Sequence, residues 1–261
     1  MNTIVVQSHR SPSLNQWIER CQNSVRAWAD FHHFEYQFFD DELFGYLPSS
    51  DLLQKYNAVV VSDLARLRCL RALLAEYDRV IWCDADWLVM DVERFQPVQT
   101  SYAVGREVWV DRTQSGKLKA FKKVHNAYLQ FDCGNTFLDF YIETAENFLQ
   151  KNTGGVPNQF IGPKLLTALH NVAGLPVHEQ AGMLSPVLAA ALLRREGVLS
   201  DDEYDNFSSH AVDKVISLFQ QRSVATPLAL NLSASCIEAA GLEADKILML
   251  CDFLCKGALS R

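Results

Sequence analysis

Apolar residues in this chain fall by turns into short continuous runs and into rows spaced three and four apart. "TIVVQ" (3–7) is such a run, followed by the polar stretch "SHRSPSLN", and predicts a strand that ends at a ligand-facing loop. Leu14, Trp17, Ile18, Cys21, Val25 and Trp28 then recur at helical spacing, which predicts an amphipathic helix over 14–31. "FEYQFFDD" (34–41) alternates as a second strand would. "YNAVVVSDLARLRCLRALLAEYD" predicts a long helix starting near Ser62, and "RVIWC" predicts the strand after it. Strands alternating with helices imply an α/β fold, a central and mostly parallel sheet flanked by helices.

The pattern continues with "SYAVGREVWV" and "NAYLQFDCGNTFLDF", two further strands, the second running into a helix that reaches about Lys151. "KLLTALHNV" reads as a helix after a Gly/Pro loop. "LSPVLAAALLRREG" carries a helix's punctuation: Ser185 as cap, Pro186 in the first turn, Gly197 past the end. The remainder reads as mainly helical, interrupted by "ATPLALNLSAS" (225–235). No repeat or linker divides the chain, so one domain over 1–261 is expected.

Composition narrows the function classes. With 261 residues, 49% hydrophobic and 21% charged, the chain has the make-up of an ordinary globular protein with a full core. A net charge of -7 and a pI near 5.5 argue against a nucleic-acid-binding surface. The N-terminus lacks the basic start of a signal peptide, and no apolar stretch approaches the ~18 residues of a membrane span. Seven scattered cysteines, an odd number, suit a reducing compartment, and a cytoplasmic location is expected. Cys251 and Cys255 have helical spacing, and no second Cys/His pair stands at zinc spacing. Trp17 and Trp28 read as core, and His32 and His33 as structural.

Chemistry concentrates in "YDRVIWCDADWLVMDVERF" (77–95), where Asp84 and Asp86 follow a buried run. On an extended strand, residues two apart point to one side and would converge on one ligand. Two carboxylates that close need a cation between them, and none is evident nearby in sequence. Hard oxygen ligands suit Mg2+ or Mn2+, which complete their shells with substrate phosphates and water. Asp63 and Arg66, three apart on a predicted helix, share a face. Arg68 and Arg71 read as a solvated face.

The stretch "SDLARLRCLRALLAEYDRVIWCDADWLV" resembles the donor-binding core of the GT-A glycosyltransferases, most closely the retaining transferases of glycosyltransferase family thirty-two. Ser62, Asp63, Arg66, Trp82, Asp84 and Asp86 match that family's pattern. "AWADFHHFEYQFFDD", "NAYLQFDCGNTFLDF" and "GPKLLT" (162–167) are similar to its further motifs, in order, over about residues 1–170, with "PLALNLS" as a C-terminal element. Three features depart from the family. "EYDR" replaces a glycine pair before the Asp-x-Asp, and with "QFDCGNTFLD" leans towards the related family eight. Asn231 stands where a metal-side His is expected, with His210 as a second candidate for that place.

The resemblance implies a GT-A domain with a nucleotide-sugar-binding half (1–100), an acceptor-side half (101–180) and a mainly helical C-terminal part (181–261). It implies a hexosyltransferase using Mn2+ or Mg2+, a nucleoside-diphosphate sugar donor and a glycan or glycolipid acceptor, as in polysaccharide biosynthesis, with peripheral membrane association a further expectation. Asp86 would bind the metal, Asp84 would bridge ribose and metal, and Asn231 would supply a third ligand. Asp63 and Arg66 would orient the donor sugar, and the loop Ser8–Ser13 would frame the nucleotide. Gly134 and Gly162–Pro163 would lie towards the acceptor, and Asp132 is the candidate nucleophile. Two other readings stay open: a haloacid-dehalogenase-type phosphatase with Asp84 as nucleophile and Asp86 as acid/base, and a non-catalytic nucleotide-sugar-binding protein.

Overall fold

The computed structural model describes residues 1–10, 15–152, 156–200 and 209–260. Its strands are β1 (Thr3–Ser8), β2 (Glu35–Phe39), β3 (Arg79–Cys83), β4 (Trp87–Val89), β5 (Tyr102–Arg112), β6 (Leu118–Asp132), β7 (Val177–His178), β8 (Ala181–Met183) and β9 (Ala229–Asn231). The central sheet has the order β2-β1-β3-β6-β5-β7, and a smaller one runs β4-β9-β8. β1, β2 and β3 are parallel, β6 runs antiparallel to β3 and β5, and β7 is parallel to β5. This is the helix-flanked α/β architecture that the alternation of elements implies.

Helices α1 (Gln16–Phe31), α2 (Asp51–Lys55), α3 (Ala58–Leu73), α4 (Thr136–Lys151) and α5 (Leu165–Ala173) accompany the central sheet. Helices α6 (Pro186–Arg195), α7 (Ser209–Arg222), α8 (Ala234–Ala239) and α9 (Ala244–Cys255) form the C-terminal part. All five residues of β3 are buried, and alternation divides them between two layers. Val80 and Trp82 join Leu64 and Leu67 of α3 and Tyr141 of α4. Ile81 and Cys83 face the opposite way, among Val25 and Trp28 of α1 and Trp87. A third apolar cluster joins α6, α7 and α9 to the far parts of β5 and β6. None of the described helices is long and apolar enough to cross a membrane.

Several sequence expectations meet the structure closely. Ser185 Oγ accepts the Leu188 N–H, Pro186 opens α6, and Gly197 takes a left-handed φ of 76° beyond its end. Trp17 and Trp28 are buried, and His32 is held by the Val92 carbonyl at 2.8 Å. Others shift. α3 starts at Ala58 rather than near Ser62, because the Asn57 side chain accepts the Val59 N–H at 2.9 Å and caps "VVVS" into the helix. β6 begins at Leu118, well before "NAYLQF", and forms a long hairpin with β5.

That hairpin contains an irregularity that matters for function. Val104 pairs with Leu129 but Gly105 pairs with His125, so Asn126, Ala127 and Tyr128 bulge out of the β5 register. Gly105 is required there, since a Cβ would lie 2.1 Å from the His125 ring. The Ala127 N–H donates to His125 Nδ1, which leaves Nε2 as donor to the Ala181 carbonyl. Burial lowers this imidazole to about 4, so it is a neutral structural group.

Candidate active site

Asp84 and Asp86 do not lie on an extended strand. β3 stops at Cys83, and the Trp87 N–H donates to the Asp84 carbonyl at 3.0 Å, closing a turn before β4. The turn is pinned from two strands: the Asp84 N–H donates to the Ala127 carbonyl at 2.9 Å, and Gln7 Nε2 donates to the Asp84 carbonyl at 2.9 Å. The two carboxylates therefore leave the strand end in different company.

Asp84 faces α3. Its Oδ1 accepts the Trp82 indole N–H at 2.7 Å and lies 3.0 Å from Arg66 Nη1. The Arg66 guanidinium also sits over the Trp82 ring at 4.8 Å, a cation–π contact. Its other nitrogen lies 3.5 Å from Asp63 Oδ1, and Nη1 further donates to the Asn126 carbonyl at 3.2 Å. The cation that the paired carboxylates call for is thus supplied to Asp84 by the protein itself, which corrects the expectation that no countercharge stands nearby. Arg66 Nε is buried without a hydrogen-bond partner among the described residues, an unspent donor inside this cluster.

Asp63 is only 5% exposed. Asn126 Nδ2 donates to its Oδ1 at 2.8 Å, and the Gly162 N–H points at the same carboxylate. Burial pushes Asp63 up to about 6. Arg66 opposes the rise and the charge of Asp84 adds to it. Gly162 is glycine for a steric reason: a Cβ there would stand 2.6 Å from Asn126 Nδ2.

Asp86 faces the C-terminal part. β9 pairs antiparallel with β4, setting Asn231 opposite Trp87. Asn231 Nδ2 donates to Asp86 Oδ1 at 2.5 Å, and the Ala234 N–H donates to Oδ2 at 2.8 Å. Ser233 adopts a left-handed φ of 55°, the turn that aims this N–H. Burial, then the charge of Asp84, push Asp86 up to about 6. The Asn231 amide oxygen accepts the Ser233 N–H at 2.8 Å, so it is turned away from Asp86. In this orientation the Asn231 amide nitrogen holds the Asp86 carboxylate.

Ser8 ends β1 at the same edge, level with Asp84, since Val6 pairs with Trp82. The rest of the loop Ser8–Ser13 lies outside the described residues from residue 11 onward. Gly162–Pro163 is at the site through Asn126. Asp132 is not. It pairs with Arg79 at the start of β3, about 16 Å from Asp84 at the strand's rise per residue. There it holds Arg79 through two bonds of 2.6 and 2.9 Å, which neutralise both groups. Gly134, in the turn after Asp132, shares that far edge, and His210 is exposed on α7.

Gln7, Asn126 and the Ala234 N–H belong to the site without having been singled out. Only Asn126 had a signal, as the first residue of "NAYLQF". Among the described residues no group of three or more His, Cys, Asp or Glu gathers as a metal site. Two carboxylates alone fit a hard cation such as Mg2+ or Mn2+, provided that a phosphorylated substrate brings further oxygens. Cavities of about 550 and 390 Å³ among the described residues lie elsewhere, between α3 and α4 and beside α9, and the site is marked by its converging charges.

No family model matches the chain, and no curated protein does. Among solved structures, a glycosyltransferase involved in glycosylation of the major capsid of PBCV-1 superposes with a TM-score of 0.47 and 7% identity, covering 93% of this chain and 100% of its own. The galactosyltransferase LgtC, in complex with donor and acceptor sugar analogs, gives 0.43 and 12%, covering 95% of each chain. Mouse xyloside xylosyltransferase 1 gives 0.39 and 10%, covering 90% of this chain and 98% of its own. Likeness this low does not carry an activity from those proteins to this one.

Proposed function

We propose that the chain is a metal-dependent, retaining glycosyltransferase moving a hexose from a nucleoside-diphosphate sugar to a glycan or glycolipid acceptor. The observation that carries this reading is the meeting of Asp63, Arg66, Asp84 and Asp86 at the C-terminal edge of β1 and β3, where α/β sheets bind nucleotides. The same residues carry the sequence resemblance, and retention of configuration follows from that resemblance.

Electrostatics give the site its chemical sense. Arg66 lies between Asp84 and Asp63, and Asp86 adds a third carboxylate at the same edge, so a diphosphate would be repelled unless a divalent cation accompanied it. Asp84 and Asp86 would hold Mn2+ or Mg2+, whose charge would offset that developing on the diphosphate. Asn231 and the Ala234 N–H fix the Asp86 carboxylate in place beforehand. Asp63, being buried, acts through Arg66 and Asn126, which it holds at the donor side. As transfer occurs, the bond from C1 to the diphosphate oxygen breaks with its electrons leaving on the diphosphate. The acceptor hydroxyl oxygen bonds to C1 and gives its proton to the departing diphosphate oxygen.

Thermal melts with a panel of nucleotide sugars test the reading. At least one donor should raise the melting temperature only when Mn2+ or Mg2+ is present, and Asp86→Ala should abolish that rise. Equal stabilisation in EDTA, or turnover of para-nitrophenyl phosphate that vanishes in Asp84→Asn, would overturn it in favour of metal-free binding or of a phosphatase.

A further inference from the structure

The carboxylates of Asp84 and Asp86 are held in different ways. Asp86 has one donor on each oxygen, the Asn231 amide on Oδ1 and the Ala234 N–H on Oδ2. Asp84 has both of its neighbours on Oδ1: the Trp82 indole N–H donates to it at 2.7 Å, and Arg66 Nη1 lies 3.0 Å away. Its Oδ2 accepts no bond among the described residues, and the side chain is 27% exposed. Trp82 stands beside that carboxylate because it lies two residues earlier and faces α3 as Asp84 does. The indole is buried in the layer of Leu64 and Leu67, sits opposite Leu129 in the β3–β6 ladder, and is covered by the Arg66 guanidinium at 4.8 Å.

We propose that Trp82 is a positioning residue, whose indole N–H holds Asp84 Oδ1 so that Oδ2 is the oxygen presented to a divalent cation. The proposal rests on the glycosyltransferase reading and names, within it, the ligand atom and the group that aims it. Arg66 divides its donors, lying 3.5 Å from Asp63 and donating to the Asn126 carbonyl at 3.2 Å. The indole N–H is the one donor of its side chain, and Asp84 is its partner. A ring locked by packing keeps its rotamer, so this donor is in place before any cation arrives. Groups that stand one step behind a metal ligand set its orientation, and their loss lowers metal affinity roughly 10- to 100-fold. Gln7 supports the same residue from elsewhere, through the Asp84 carbonyl and not its carboxylate.

Two measurements on the full chain test it. The first reads the assigned Trp82 indole signal in proton–nitrogen correlation spectra. That signal should stand at a hydrogen-bonded position, move towards a free indole in Asp84→Ala, and hold its place in wild type when Mg2+ and a nucleoside diphosphate are added. A signal indifferent to Asp84→Ala, or one released by Mg2+ and diphosphate, would overturn the proposal. The second titrates Mn2+ at fixed UDP, GDP, CDP or ADP and reads the rise in melting temperature. Trp82→Phe keeps a ring under Arg66 without the N–H, and should need roughly 10-fold more Mn2+ for half of that rise. Val80→Ala thins the same apolar layer four residues before Asp84, and should need no more Mn2+ than wild type. An equal demand in Trp82→Phe and wild type, or in Trp82→Phe and Val80→Ala, would reduce Trp82 to packing and leave the transferase reading standing. Should Trp82→Phe not fold, the indole signal decides alone. No Mn2+-dependent rise in wild type with any of the four diphosphates would instead sink the transferase reading, and the proposal with it.

Discussion

Arg66 holds Asp84 at 3.0 Å and Asp63 at 3.5 Å, one guanidinium between two carboxylates from different elements. The arrangement ties α3 to the end of β3 and is nearly closed to water, with the Arg66 side chain 11% exposed. Removing the cation would leave the buried Asp63 and the part-buried Asp84 without their countercharge, which costs about 3–5 kcal/mol. Arg66→Ala should therefore lower unfolding free energy by that order in urea titrations. Arg71→Ala, which breaks the exposed pair with Asp139, should cost about 0–1 kcal/mol. Equal effects of the two would show that Arg66 is not the countercharge of this cluster.

Asp63 gives a pH signature of defined sign. Its native carboxyl is raised to about 6, above the ordinary carboxylate value, so the folded state holds this proton more tightly than the unfolded chain. The contribution is present in full below pH 4 and is lost as pH rises through 6. Buried histidines such as His125 act in the opposite sense, so the comparison must be made between variants. The stability difference between wild type and Asp63→Asn should shift by about 2 kcal/mol against the wild type from pH 4 to pH 7. A difference constant across that range would contradict a raised Asp63.

Gly162 and Asn126 form a steric pair. Gly162→Ala would drive a methyl group into the Asn126 amide, 2.6 Å away, and displace its bond to Asp63. Overpacking of this kind costs about 1–3 kcal/mol. The cost should shrink markedly in an Asn126→Ala background, where the methyl has room, so a double-mutant cycle on denaturation midpoints checks it. Additive losses would mean that the two residues do not press on each other.

What the sequence revealed and concealed follows from the range of each interaction. The cap of α6 was legible because Ser185, Pro186 and Gly197 act on their immediate neighbours. "VVVS" was not legible as helix, since a β-branched run reads as strand until Asn57 caps it. The Asp84–Arg66 pair joins residues 18 positions apart through the packing of a helix on a strand, and no local pattern announces it. Alternation located β6, but not which end of it meets the site. Asp132 therefore stood as a candidate nucleophile although the antiparallel direction of β6 carries it to the far edge, against Arg79. The bulge at Asn126 arises from Gly105 across the hairpin, again a non-local cause.

The account turns on Asp86 holding a divalent cation for a nucleoside-diphosphate sugar. The most direct measurement is release of nucleoside diphosphate from the best-binding donor, by wild type and Asp86→Ala, with Mn2+ and with EDTA. Wild type should turn over in Mn2+ and fall silent in EDTA, and Asp86→Ala should lose ~100-fold or more while still melting cooperatively as a folded protein. Activity undiminished by EDTA, or equal in the variant, would contradict it.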